Sequence, residues 1–435
     1  MRFSGGLKRY ARNTGYLFFE KIIRTIVTLA VGTLLIRYLG PKDFGLLSYT
    51  LSFVFLFTIL SDLGLDAITV RELLKNSAAK NEILGTTFFL KLSGGIVAIG
   101  IIFIIVNFYP FDAFLKGLIL IVSLRLIFQS FNNIDHYFQS QVLSKYAVCA
   151  QLFSLVVGNG LCLLFIRWKA PLIYFVYVAV AEAFVLASSF VFLYRKNQES
   201  IFLWKINFEL AKNLIKDSWP LFVSGIASAV YMRLDQIILQ SLSGPIELGY
   251  YAAAVRLSEA FYFIPMILMA SLFPAIINAK IKDATLYQNR LQALFSLLLW
   301  FAFILAIPTT FLAPFIIEAF YGKEYLPAAG VLAIHIWASV FVFLGVARGK
   351  WAVNENLQIY TMGYLIVAAL MSVILNFCLI PVWGIKGAAF ATVFSQFLAT
   401  VPLNLISKKT RHIFFLQIRA VNPIYLAKKS ILSNE

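Results

Sequence analysis

The chain has 435 residues, of which 61% are apolar and only 13% are charged. A soluble domain carries roughly 45–50% apolar and about 25% charged residues, so a water-facing enzyme, a disordered chain and a coiled coil are excluded. The formal net charge of +17 comes from 37 Lys and Arg against 20 Asp and Glu. In a lipid-solvated chain such an excess gathers in cytoplasmic loops and does not call for nucleic acid.

A spanning helix needs roughly 20 apolar residues. A basic stretch with Arg2, Lys8, Arg9 and Arg12 leads into a first apolar run too long for a signal-peptide core, which predicts a retained span. In chain order the apolar runs predict twelve spans: 15–36, 46–62, 83–106, 117–134, 145–166, 172–194, 218–240, 250–274, 291–317, 328–346, 358–380 and 387–406. Turns are expected at Gly40-Pro41, Pro110, Pro171, Gly244-Pro245, Pro327 and Pro381. The runs are continuous, unlike the short alternating strands of a barrel. With the N-terminus inside, 24 Lys and Arg fall in inside segments, counting Lys145 at the cytoplasmic end of its span, and 7 in outside loops, so both termini are expected in the cytoplasm.

The expected organisation is an N-lobe at 1–195, a linker at 196–217, a C-lobe at 218–406 and a basic tail at 407–435. In the linker, Leu203, Ile206, Leu210 and Leu214 share one helical face, which predicts an amphipathic helix at the cytoplasmic interface. The tail, with Ile413, Phe414, Phe415 and Leu416, reads as surface-bound or poorly ordered. Cys149, Cys162 and Cys378 sit in apolar runs without metal-ligand spacing, so no metal or cofactor is expected. No loop is long enough for a soluble catalytic domain.

Two outside loops repeat each other. Gly40-Pro41-Lys42-Asp43-Phe44-Gly45 and Gly244-Pro245-Ile246-Glu247-Leu248-Gly249 share the pattern G-P-x-acidic-apolar-G at an offset of 204. Each follows the first helix of a six-helix set. Six is even, so the halves are parallel, a symmetry suited to a transporter with its site at the lobe interface.

The segment Ala11-Arg12-Asn13-Thr14-Gly15 through Leu39-Gly40-Pro41-Lys42-Asp43-Phe44-Gly45-Leu46-Leu47-Ser48-Tyr49 resembles the start of Wzx-type polysaccharide-biosynthesis flippases. These belong to the multidrug/oligosaccharidyl-lipid/polysaccharide exporter superfamily. Leu63-Gly64-Leu65-Asp66 to Val70-Arg71-Glu72-Leu73 is similar to a second signature of that family, and Trp383-Gly384-Ile385-Lys386-Gly387-Ala388-Ala389 to a third. The resemblance implies an all-α polytopic membrane protein of two six-helix, MATE-like lobes. It further implies alternating access and a polyprenyl-pyrophosphate-linked oligosaccharide, undecaprenyl or related, as cargo. The superfamily's peptidoglycan-precursor flippases usually carry two more helices, which disfavours that assignment.

Ionisable groups within spans are costly, about 2.5–3.5 kcal/mol each on insertion scales, and face the protein interior or water. Apart from Lys145 and Asp62 at the cytoplasmic ends of their spans, the six cations there are Lys21, Arg24, Lys91, Arg125, Arg233 and Arg256, and the acids are Glu20, Glu182, Asp235 and Glu259. Glu20, Arg24, Thr28 and Gly32 share one face, as do Arg125, Gln129, Asn132 and His136. Guanidinium suits pyrophosphate because its planar fork binds bidentately and stays charged. Arg24, Arg125, Arg233, Arg256 and Lys91, with Gln129 and Asn132, are therefore the candidates for a pyrophosphate and glycan cavity. The alternative for Arg24 is pairing with Glu20, and for Lys91 snorkelling to the cytoplasmic surface. Matched depths in the 218–274 hairpin pair Asp235 with Arg256 and Arg233 with Glu259, as a structural network or a gate. Glu20, Glu182 and His335 are candidates for gating or ion coupling, and Asp62, Asp66, Arg71 and Glu72 for bracing an inner gate.

The expected function is a flippase in the plasma (inner) membrane. Its partners would be the lipid-linked oligosaccharide, membrane lipid, an H+ or Na+ counter-ion and polysaccharide polymerase machinery, with no nucleic acid. The rivals are a multidrug cation exporter, which the positive span balance disfavours, and a membrane glycosyltransferase or polymerase, which would need a larger outer loop.

Overall fold

In lipid the backbone must satisfy its own hydrogen bonds, and every regular element described in the computed structural model is helical. The structure describes residues 5–423, with side chains from residue 15 onward except those at 274, 281 and 282. In chain order the helices are α1 (Gly5–Leu56), α2 (Thr58–Asp62), α3 (Asp66–Lys75), α4 (Lys80–Phe108), α5 (Ala113–Ser123), α6 (Arg125–Gln129), α7 (Asn133–Ser140) and α8 (Ser144–Arg167). They continue with α9 (Leu172–Lys196), α10 (Phe208–Glu259), α11 (Phe263–Lys282), α12 (Ala284–Tyr321), α13 (Ala328–His335), α14 (Ala338–Asn354), α15 (Gln358–Thr400) and α16 (Arg411–Arg419).

Nine helical stretches among the described residues are long and apolar enough to cross a membrane. Large apolar side chains lie open on their outer faces, Phe311 at 80% exposure and Phe192 at 66%, a surface that only lipid can solvate. The chain is a multi-pass membrane protein. Three of the long stretches are broken at a glycine in the left-handed half of backbone space: Gly40 (φ 68), Gly244 (φ 83) and Gly384 (φ 55). Only glycine enters that region without a Cβ penalty. The first two breaks are the expected G-P turns. The third falls at Gly384 and not at the expected Pro381, because a proline that follows a helical turn can stay within the helix while φ above zero cannot.

The chain divides into two compact units, one of residues 1–39 and 46–233, the other of residues 40–45 and 234–435. In the first, Leu73, Ile83, Leu84, Ile134, Phe138, Phe190 and Tyr194 form a buried cluster. In the second, Leu291, Phe295, Ala302, Ala306, Phe343, Ala347 and Trp351 form the core. Small residues on these faces let helix backbones approach, which is how helices associate where lipid removes the hydrophobic drive.

The repeat has a structural meaning within the second unit. A Cβ added at Gly45 would lie 1.8 Å from the carbonyl oxygen of Pro245, and one added at Gly249 would lie 1.9 Å from that of Pro41. The offset of 204 maps 41 onto 245 and 45 onto 249, so the two contacts are equivalent. The two G-P turns cross backbone to backbone, and each closing glycine is the residue that permits it.

Two expectations need correction. The linker is not one amphipathic helix: Ile201–Leu203 is a single 3₁₀ turn and α10 starts only at Phe208. Asn207 ends the extended stretch by accepting from the Leu210 amide at 3.0 Å, a helix-starting cap that competes with continuous helix. Leu203 and Ile206 are exposed, whereas Leu214 is buried with Ala211 against Leu65, Ile68 and Leu90. The tail is also not loose where it is described. Ile413 and Leu416 of α16 are buried in the core of the second unit, and Gln292 donates to the Leu416 carbonyl at 3.0 Å. Residues 424–435 lie outside the described residues.

Candidate functional site

The first unit gathers four of the predicted charges. Glu20 and Arg24 are one turn apart on α1, and the Arg24 Nε donates to Glu20 Oε1. A second acid reaches the same guanidinium from α9, with Glu182 Oε1 3.9 Å from Arg24 Nη1. The remaining Arg24 nitrogen donates to the Gln151 carbonyl of α8 at 3.4 Å. Gly158 of α8 makes room for Glu182, since a Cβ there would lie 3.2 Å from its Cγ.

Arg125 opens α6, which is held against α9 by the edge-on Phe128–Phe184 ring pair, 5.4 Å between centroids. Glu182 is the charged neighbour of Arg125. The Arg125 Nε and the Gln129 Oε1 are buried and meet no hydrogen-bond partner among the described residues. Buried polar atoms are ordinarily satisfied by protein or water, so the Arg125 Nε keeps the capacity to donate and the Gln129 Oε1 to accept. Asn132 is half-buried on the 3₁₀ turn that follows. This arrangement sets two guanidinium groups against two carboxylates within the first unit.

One turn farther along that stretch lies a second cluster. Lys91 of α4 is fully buried, which overturns the snorkelling expectation. Its Nζ donates to Asp66 Oδ1 and lies 3.2 Å from His136 Nε2. The His136 Nε2 is in turn 3.0 Å from Asp66 Oδ1. Asn133 locks α7 to α4, donating to the Leu84 carbonyl at 2.8 Å and to Thr87 Oγ1 at 2.6 Å. That lock holds Lys91 inward. Asp62, half-buried at the end of α2, has Asp66, Lys91 and His136 as its charged neighbours.

Arg71 belongs to neither cluster. It bonds Glu72 at 2.8 Å and Asp217 on α10. Arg233 lies over the Phe55 ring, 5.8 Å from its centroid.

In the second unit, Asp235 is buried. It accepts from the Tyr251 hydroxyl, from the Gln236 amide at 2.8 Å and from Thr392 Oγ1 at 3.4 Å. His335 Nδ1 lies 2.6 Å from Ser258 Oγ, and its ring meets Tyr251 edge-on at 6.2 Å. Arg256 is a charged neighbour of Tyr321, and Glu259 of Tyr251. Among the described residues no group of His, Cys, Asp or Glu is placed to hold a metal ion.

The structure thus brings Glu20, Arg24, Arg125 and Glu182 together and sets Lys91 apart with Asp66 and His136. The expected stripe of Arg125, Gln129, Asn132 and His136 is split by the 3₁₀ turn Ser130–Asn132: Arg125 faces Glu182, and His136 joins Lys91 and Asp66. Tyr251 and Thr392 carried no sequence signal as partners of Asp235, because they approach from 16 and 157 residues away.

Residues 10–280 match the family described as polysaccharide biosynthesis protein. The capsular polysaccharide biosynthesis protein CapF of Staphylococcus aureus is 21% identical over 421 residues, 92% of this chain and 99% of that one. The probable flippase AglR of Haloferax volcanii is 30% identical over 183 residues, 39% of this chain and 37% of its own. Among solved structures, the lipid II flippase MurJ in an inward closed conformation superposes with a TM-score of 0.71 at 16% identity. It covers 96% of this chain and 94% of that one, a likeness of fold.

Proposed function

This chain belongs to the polysaccharide biosynthesis protein family as a Wzx-like member, and from that premise we propose that it flips a polyprenyl-pyrophosphate-linked oligosaccharide from the inner to the outer leaflet of the plasma membrane. Twelve spans in two six-helix lobes, with both termini cytoplasmic, serve this function. The breaks at Gly40, Gly244 and Gly384 support that count, since each divides one long apolar stretch in two.

The observation that carries the proposal is that Arg24 and Arg125, from different helices of the first unit, share the Glu182 carboxylate as a charged neighbour. An ionised headgroup taken out of water costs several kcal/mol unless opposite charge replaces its hydration. Arg24 and Arg125 supply that charge, Gln129 and Asn132 supply sugar-binding amides, and the prenyl tail stays in lipid. Arg233 and Arg256 are further cations for the passage, whereas Lys91, fully buried in its pair with Asp66, braces the helices beside it. Asp235, Glu259, His335, Asp62 and Arg71 gate it or couple it to H+ or Na+. The protein breaks no bond and alternates its access between the two sides, delivering cargo to polysaccharide polymerase machinery.

The test is export in a deletion strain carrying Arg24→Gln together with Arg125→Gln. Lipid-linked oligosaccharide is expected to accumulate on the cytoplasmic side while the protein remains in the membrane at normal abundance. Normal glycan export by that double variant would refute the role of the pair.

A further inference from the structure

The Arg24–Arg125 site holds an acid that a plain anion receptor would avoid. Glu20 is local to Arg24, one turn away on the same helix, and such a pair forms in an isolated helix. Glu182 is different. It comes from α9, it stands 3.9 Å from Arg24, and it is also the charged neighbour of Arg125. Its backbone is fixed by Ser154 Oγ, which donates to the Glu182 carbonyl at 2.8 Å. Its stem is seated against Gly158. Its side chain nevertheless keeps 35% exposure, and its only ion pair of 4.0 Å or less among the described residues is the long one to Arg24.

A carboxylate so firmly rooted and so weakly engaged is not a structural clasp. We infer that Glu182 is an internal competitor: it occupies the Arg24–Arg125 pair when no cargo is bound and is displaced by the phosphate groups of the cargo headgroup. This deepens the flippase reading and rests on it. The physical need is plain. Two guanidinium groups in a low-dielectric site would hold a pyrophosphate too tightly to release it, and a carrier must bind well enough to load and loosely enough to unload. A carboxylate that stays beside the bound anion repels it and returns to the arginines as the anion leaves. Neutrality of the quartet Glu20, Arg24, Arg125 and Glu182 also lowers the cost of leaving the buried Arg125 cation unpaired beside the part-exposed Arg24.

The test measures binding of inorganic pyrophosphate to the full-length protein in detergent by calorimetry, comparing wild type, Glu182→Gln, Glu182→Asp and Arg125→Gln. Gln keeps the shape and removes the charge, so Glu182→Gln is expected to bind roughly five- to tenfold more tightly than wild type, the scale of one partly exposed charge pair. Glu182→Asp keeps the charge and is expected to fall between the two. Arg125→Gln is expected to bind too weakly to measure. In transport, Glu182→Gln is expected to load normally and turn over more slowly. Unchanged or weaker binding by Glu182→Gln, with Arg125→Gln still defective, would overturn the competitor role and leave the headgroup reading intact. If neither wild type nor Glu182→Gln binds pyrophosphate, the headgroup reading itself falls, and the competitor role with it.

Discussion

Replacing Gly249 by Ala puts a methyl carbon 1.9 Å from the Pro41 carbonyl oxygen and 2.7 Å from its carbonyl carbon. A carbon and a carbonyl oxygen in close contact normally stay about 3.3 Å apart. The two turns must therefore separate by about 1.4 Å. Neither side is a flexible side chain, so both backbones move, and the cost belongs at or above the upper end of the overpacking range, about 3 kcal/mol. The assay is thermal unfolding of the full-length protein in detergent, where that loss corresponds to a fall of roughly 5 °C or more. Gly160→Ala is the control, because a Cβ there meets nothing within 4 Å. Ala is the better helix former by up to about 1 kcal/mol, so this variant is expected to melt at or slightly above wild type. Gly45→Ala should match Gly249→Ala, since its contact with Pro245 is equivalent. The double variant should lose less than the sum, because turns already forced apart admit the second methyl more cheaply. Equal melting of Gly249→Ala and Gly160→Ala would refute the reciprocal crossing and the repeat that explains it.

Asp66→Asn and Lys91→Met break the same ion pair with unequal consequences. The first strands a fully buried ammonium and is expected to cost about 3–5 kcal/mol; the second leaves a carboxylate that is 56% exposed and covered by water, at about 1 kcal/mol or less. Equal melting points for the two would show that Lys91 is not held as described. A second expectation concerns pH. Burial holds the His412 imidazole below its ordinary range, against the opposing pull of the Glu355 carboxylate, and its ring packs edge-on to Trp351 at 5.0 Å. The folded state prefers the neutral ring, so this contribution is whole above the ordinary imidazole pKa of about 6.5. It declines as pH falls through that value toward the lower folded one. The difference in melting temperature between about pH 7.5 and about pH 5.5 should shrink in His412→Phe, and an undiminished difference would assign the pH dependence to another group.

Composition and local pattern were enough to make this a multi-pass helical membrane protein, because the bilayer admits few backbone solutions and its thickness sets the length of each apolar run. The G-P turns were legible for the same local reason, and the two copies of the turn motif were visible as a repeat. Their meeting was not: the contact of Gly45 with Pro245 depends on two segments 200 residues apart. Pairing of charges divided along the same line. Glu20 with Arg24 could be read from spacing on one helix. Glu182 with Arg24, Lys91 with Asp66 and His136, and Asp235 with Tyr251 could not, because each depends on how far one helix is rotated and slid against another. Rotation by a third of a turn would turn Lys91 from the interior toward lipid without changing a residue. That choice is made by side-chain packing across helices, by locks such as Asn133 on Leu84 and Thr87, and one-dimensional periodicity carries no record of it.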